Sequence, residues 1–206
     1  VLFKDATSLE NFKNIKQIVF DKTGTLTTGN FRIKAYKDGN QEHLAIMSLD
    51  FETLEAPFVR IHSECLTGDT LGSLKCDCQN QLDLSLKFIA KNGGLVIYHR
   101  QEGRNIGLVN KVNAYALQDK GRNTIEANIE LGFKEDERDY RVVGYIFENL
   151  GIKKLKLITN NPAKLKYVES LGVEIVERIP AIIKANKYNE LYLSTKKEKM
   201  GHLIWV

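Results

Sequence analysis

Three cysteines stand close together in this chain: Cys65, ten residues, Cys76, one residue, Cys78. Three thiolates can hold a borderline cation such as zinc tetrahedrally and leave one corner free. A free corner marks a catalytic site, because water can occupy it. Zinc bound in this way brings the pKa of that water towards neutrality and makes hydroxide available as a nucleophile. On spacing alone two other readings stand beside this one. The cysteines could be small buried hydrophobes, or His62 or His99 could complete a closed, structural four-ligand site. An odd cysteine count without a secretion signal argues against a disulfide framework.

Elements must bring these residues together. Ile15–Phe20, Phe31–Tyr36, Leu44–Met47 and Phe58–His62 read as short strands and make the first half β-rich. Beyond them the period changes. Leu82, Leu86 and Ile89 recur at helical spacing up to Gly93-Gly94. Leu95–His99 is a short apolar strand. Leu108, Val112 and Tyr115 or Ala116 predict a helix that ends by Gly121. Tyr140, Val143, Phe147 and Leu150 predict another, closed by Gly151. Leu155–Thr159 reads as a buried strand. Asn161 can cap a helix with Pro162 in its first position and Leu165, Val168 and Leu171 on its inner face. Val173–Val176 is the next strand. The expected class is α/β (mixed α+β), a β-rich N-terminal half followed by alternating helices and strands.

Composition narrows the partners. The 206 residues are 43% hydrophobic and 27% charged, enough for one domain with a core. The net charge of +4 admits an anionic substrate without demanding nucleic acid. No stretch approaches the roughly 18 apolar residues of a membrane span. Val1–Phe20 mixes Lys, Asp and Glu into its apolar residues, unlike a signal peptide. The expectation is a cytoplasmic protein with neither membrane nor nucleic-acid partner.

The motifs then point to a family. Arg60-Ile-His-Ser-Glu-Cys-Leu-Thr-Gly-Asp69, Cys76-Asp-Cys78 and Tyr98-His-Arg-Gln-Glu-Gly-Arg-Asn-Ile-Gly107 closely resemble GTP cyclohydrolase II. So do Ala114–Asp119, Thr124–Asn128, Leu131–Phe133, Asp136–Asp139, Thr159–Pro162 and Lys199–Leu203, and the likeness covers roughly Phe31–Ile204. The resemblance implies a zinc-dependent hydrolase that opens the guanine ring of GTP, releases formate and pyrophosphate, and begins riboflavin biosynthesis. It implies Cys65, Cys76 and Cys78 as zinc ligands. It implies a GTP pocket of Arg60, Ile61, His62, Ser63, Glu64, Gln81, Glu102, Gly103, Arg104, Thr124, Thr159 and Lys164. Asp136 matches the family's proton acceptor, Arg138 its nucleophile towards the α-phosphate, and Tyr115 a tyrosine near the ring being opened. A homodimer is also implied.

Charge agrees with a triphosphate. Arg60, Arg100, Arg104, Arg138 and Lys164 could neutralise it, the arginines with bidentate geometry. Carboxylates such as Glu102 suit the donor edge of guanine, and magnesium would bridge the phosphates. Gly103 and Gly107 alone make a weak phosphate loop, lacking the preceding Gly and the Lys-Ser/Thr. A guanidinium stays protonated. Arg138 as a nucleophile would therefore need help from Asp136; the alternative is that it only stabilises transition-state charge.

The pattern departs in two places. Gln79 stands where the family usually has Gly after the second cysteine of Cys-x-Cys. At the front, Phe20-Asp-Lys-Thr-Gly-Thr-Leu-Thr27 resembles the phosphorylation motif of P-type cation-transporting ATPases, with Val1–Val19 similar to the approach to it. The expected division is therefore an atypical segment at 1–28 and a catalytic domain at 29–206. Besides the enzyme, two other functions fit parts of the sequence: a non-catalytic GTP-binding or regulatory module, and a phosphoryl-transfer fragment using Asp21.

Overall fold

A computed structural model describes residues 17–20 and 31–204 of the chain. Asp21, the rest of its motif after Phe20 and the expected boundary at residue 28 lie outside the described residues. The strands are β1 (Gln17–Phe20), β2 (Phe31–Asp38), β3 (Gln41–Ser48), β4 (Phe58–Ser63), β5 (Gly94–His99), β6 (Lys154–Ile158) and β7 (Glu174–Ile179). The helices are α1 (Leu66–Asp69), α2 (Cys78–Asn92), α3 (Glu102–Asn105), α4 (Gly107–Gln118), α5 (Thr124–Glu130), α6 (Arg141–Asn149), α7 (Pro162–Ser170) and α8 (Glu190–Met200).

The strands form one sheet in the order β1-β2-β3-β5-β4-β6-β7. From β1 to β5 each neighbour is antiparallel; from β5 through β4 and β6 to β7 each is parallel. This is the mixed α/β arrangement expected of the sequence. Two-residue alternation divides the core between the faces. Leu95, Ile97, Val59 and Ile61 pack with Val142, Val143, Ile146 and Phe147 of α6 and Val168 of α7. Val96, Ile46 and Ile33 pack on the other face with Ile89 of α2. Gly94 has φ +142, and a Cβ there would stand 2.1 Å from the Phe58 carbonyl oxygen, so only glycine lets β5 approach β4 this closely.

The start of α7 forms as its sequence dictates. The Asn161 side chain accepts the Ala163 N–H at 2.9 Å, and Pro162 opens the helix. The inner face of α4 differs from expectation. The helix is there, but Leu108 and Val112 are exposed at 39% and 52%, while Lys111 and Ala114 are buried. Apolar spacing misassigned that face because it lines a polar cleft rather than the core. Leu171, expected inward on α7, is likewise exposed, and Lys164 takes the buried place near the helix start. Helix α8 was not anticipated: its residues show almost no apolar period, and its buried positions Leu193 and Thr195 are too few to mark a face.

Candidate active site

Ligands bind beyond the carboxyl ends of parallel strands, where the chain departs to opposite faces. That is where the expected residues gather. Ser63 ends β4, and Glu64 and Cys65 follow it; Glu102, Gly103 and Arg104 follow β5; Thr159 follows β6. With Arg60, His62, Gln81, Cys76, Cys78, Tyr115, Thr124, Arg138 and Lys164 they line one cleft of about 1100 Å³, its open mouth included. Two expected residues lie off its surface. Ile61 belongs to the apolar core by strand alternation and reaches the site only through its carbonyl, which accepts from Lys164 Nζ at 2.8 Å. Asp136 reaches the cleft only through Arg138, whose guanidinium it accepts from. Arg100 also stands apart from the cleft, half exposed and 3.4 Å from Glu64.

The three thiols converge. Their sulfurs lie within 4.8 Å of one another, and Cys65 and Cys76 are 3.7 Å apart. A tetrahedral centre with metal–sulfur bonds of about 2.3 Å needs sulfurs about 3.8 Å apart. Gly68 makes room for this cradle: a Cβ there would stand 2.8 Å from Cys76 Sγ and 3.1 Å from Cys65 Sγ. The donor set, the spacing and the cradle all fit a divalent metal. Among the described residues no histidine joins the set. The His62 ring instead faces Asp69, with Nε2 3.1 Å from the carboxylate, and His99 is stacked between His43 and Tyr140. Gln79, the departure beside Cys78, is exposed on α2 and displaces nothing.

Asp69 holds the loop that carries Cys65. Its carboxylate accepts from the Cys65 N–H at 3.0 Å and the Tyr98 hydroxyl at 2.8 Å, in addition to its His62 contact. Both Asp69 and His62 side chains are 3% exposed, so this network is formed away from water. The turn at Glu102–Asn105 is strained: Arg104 and Asn105 have φ of 62° and 72°, a region costly for residues other than glycine. The Arg104 guanidinium donates to the Glu135 carbonyl at 3.0 Å, and the Asn105 amide to the Glu137 carbonyl at 3.1 Å. These bonds tie the strained turn to the segment that carries Asp136 and Arg138.

Cations crowd this cleft. Arg60 donates to the Ile158 carbonyl at 3.1 Å and to Gln81. Lys164 is buried in the cleft wall; burial first, then the neighbouring Arg60 and Arg138, hold its pKa well below the usual lysine value. Arg138 donates to Ser63 Oγ at 3.0 Å and from Nε to Asp136 at 2.8 Å. Burial works against its charge, but Tyr140 and Asp136 outweigh that and raise its pKa further. Burial would push Asp136 up; the Arg138 bonds and charge win and keep it ionised. Tyr115 stands over the thiol cluster through Thr67: its hydroxyl is 3.2 Å from Thr67 Oγ1, itself 3.7 Å from Cys65 Sγ. Burial raises the Tyr115 pKa, so it is a neutral donor at neutral pH.

Glu102, expected at the guanine edge, has its carboxylate engaged by the protein. It accepts from Leu66 N–H at 2.6 Å, Gly103 N–H at 2.8 Å and Lys111 Nζ at 2.7 Å. Four further residues line the cleft outside the quoted motifs and the expected site: Lys75, Lys111 on α4, and Tyr192 and Lys196 on α8. Lys196 bonds Asp77 at 3.2 Å between the two later cysteines. A lysine that interrupts the buried face of a helix could have marked Lys111; nothing local marks the α8 residues.

His99 yields a stability prediction. Burial, then the adjacent His43, push its pKa down to about 3, against about 6.5 unfolded. The unfolded chain therefore gains a proton below about pH 6.5 that the folded chain refuses down to about pH 3. Stability from this ring is whole above pH 6.5 and falls as pH drops. The expected loss at pH 5 is about 2 kcal/mol, from one proton over about 1.5 pH units. Urea unfolding at pH 7 and pH 5 measures it, and His99→Phe should flatten the acid limb by that amount.

Comparison with known proteins places the chain. Residues 17–180 match the family model described as GTP cyclohydrolase II. The chain is 58% identical over 177 residues to GTP cyclohydrolase-2 of Campylobacter fetus subsp. fetus, covering 85% of this chain and 90% of that one. It is 58% identical to the Campylobacter hominis protein of the same name, covering 85% and 89%. It is 51% identical to that of Actinobacillus succinogenes, covering 91% and 88%. Among the described residues no helix is long and apolar enough to cross a membrane.

Proposed function

This chain belongs to the GTP cyclohydrolase II family, and from that premise we propose that it hydrolyses GTP to 2,5-diamino-6-(5-phosphoribosylamino)pyrimidin-4(3H)-one, formate and pyrophosphate, the opening step of riboflavin biosynthesis. One observation carries the reading: a single cleft holds a three-thiol cluster together with the basic side chains of Arg60, Arg104, Arg138 and Lys164, of which only Arg138 forms an ion pair among the described residues.

We assign zinc to Cys65, Cys76 and Cys78. When bound it supplies a Lewis acid that makes water nucleophilic towards carbon 8 of guanine near neutral pH. The protein's own groups do the rest. Arg60, Arg104, Arg138 and Lys164 receive the triphosphate, which magnesium accompanies. His62, Ser63, Glu64, Gln81, Thr124 and Thr159 form the wall around the nucleoside, with Ile61 contributing its carbonyl. Glu102 and Gly103 shape that wall from behind. Tyr115 donates its hydroxyl proton at the opening ring.

Arg138 acts at the α-phosphate as a fixed cation. Its raised pKa and its bonds to Asp136 and Ser63 leave no lone pair for attack. Asp136 holds that guanidinium in orientation and, being ionised, can accept a proton. On the strength of the family resemblance we read the enzyme as a cytoplasmic homodimer with an atypical sequence at 1–28, whose Gln17–Phe20 nonetheless forms the edge strand of the sheet, ahead of a catalytic domain at 29–206.

The test is stoichiometry. Purified, zinc-loaded protein should release one formate and one pyrophosphate per GTP. A strong chelator should abolish formate release and added zinc restore it. Zinc-loaded protein that binds GTP tightly yet forms no formate would instead be a binding module.

A further inference from the structure

The sequence assigned no role to Lys111, yet it is one of the best-placed cations in the molecule. It is 9% exposed. Its ammonium lies 3.0 Å from Cys65 Sγ and 2.7 Å from Glu102 Oε1. Burying an ammonium is costly unless it is paired and hydrogen-bonded, so this placement has been constructed. Glu102 is itself fixed: one oxygen accepts the Leu66 N–H at 2.6 Å, directly after Cys65, and the other accepts the Gly103 N–H at 2.8 Å. Gly103 packs so closely that a Cβ on it would stand 3.1 Å from Lys111 Cβ. The stem of Lys111 is thus held from one side and its head from the other, and the remaining direction points at sulfur.

We infer that Lys111 is a positioning and charge-tuning residue: its ammonium, oriented by Glu102, hydrogen-bonds the Cys65 thiolate and sets how much charge that sulfur gives to a bound divalent cation. Three thiolates around a divalent cation leave a net negative charge, and each sulfur that donates fully weakens the cation as a Lewis acid. A charged donor on one sulfur draws density away from it. The arrangement is the sulfur counterpart of a carboxylate that orients a metal-bound histidine. It rests on the metal-centre reading above and adds a residue that reading does not need.

The experiment is Lys111→Met, Lys111→Gln and Lys111→Arg in the full chain, each loaded with cobalt(II) in place of zinc. With the donor gone, the sulfur is richer in electrons. The thiolate-to-cobalt charge-transfer band should move to longer wavelength in Lys111→Met, less in Lys111→Gln, and return towards wild type in Lys111→Arg. In the zinc-loaded enzymes kcat should fall in the same order, on the order of 10 to 100-fold in Lys111→Met, with KM for GTP little changed. A cobalt spectrum identical to wild type in Lys111→Met overturns the inference, as does a loss confined to KM. Should Lys111→Met fail to fold, Lys111→Gln decides on the same band. The cobalt spectrum needs no turnover, so it stands even if GTP proves not to be the substrate.

Discussion

Cys76→Ser is expected to leave a folded protein that loses its metal and releases formate from GTP about a thousandfold more slowly. The sulfur being replaced is 3.7 Å from Cys65 and 7% exposed as a residue. A serine hydroxyl keeps the size but remains protonated near neutral pH, so it cannot serve as an anionic third ligand. The fold should survive, because the sheet and its two apolar clusters do not depend on this side chain. Metal analysis of the purified variant together with a formate assay measures both halves. A variant that keeps stoichiometric metal and wild-type rate would remove the thiol cluster from the chemistry altogether.

The second large effect is at Arg138, and it separates two chemistries. If Arg138 is the fixed cation proposed above, Arg138→Ala removes a donor to the developing phosphate charge, and pyrophosphate release should fall on the order of 100 to 1000-fold. Free guanidinium added to Arg138→Ala should restore part of that rate, since it can occupy the same place beside Asp136. Arg138→Lys should recover little: lysine keeps the charge but lacks the planar fork that grips Asp136 and Ser63 together. In wild type, mass spectrometry during turnover should find no nucleotide covalently attached to the chain. An adduct on Arg138 would overturn the assignment as a fixed cation and restore the nucleophile. The Asp136–Arg138 pair makes the first outcome the physical expectation, because it stabilises the protonated guanidinium that a nucleophile must give up.

Both effects are legible in outline in the sequence. Residue type and spacing bring Cys65, Cys76 and Cys78 forward as one of three readings, and the resemblance to GTP cyclohydrolase II implies them as ligands. The basic side chains around it follow from ordered motifs. Strands β4 to β6 and helices α6 and α7 were also legible, because Val, Ile and Leu at period 2 or 3.6 must be covered by something. Where a helix face lines a polar cleft that signal misleads. On α4 the apolar Leu108 and Val112 face outward, and Lys111 faces in.

Local pattern therefore determined the class of fold, since apolar period is a property of neighbouring residues, and it brought the thiols and arginines forward only as candidates; their assignment as metal ligands and triphosphate partners is what the ordered motifs of the family imply. Tertiary structure alone decided the rest. It left the thiol set without a histidine, because Asp69 engages His62 and the sheet interior encloses His99. It removed Ile61 from the pocket by strand alternation and engaged Glu102 with Leu66 and Lys111. It brought Tyr192 and Lys196 from the far end of the chain against the residues between the cysteines. Contacts across 36 to 119 positions leave no trace in local pattern; they exist only once burial has chosen which side of each element faces inward.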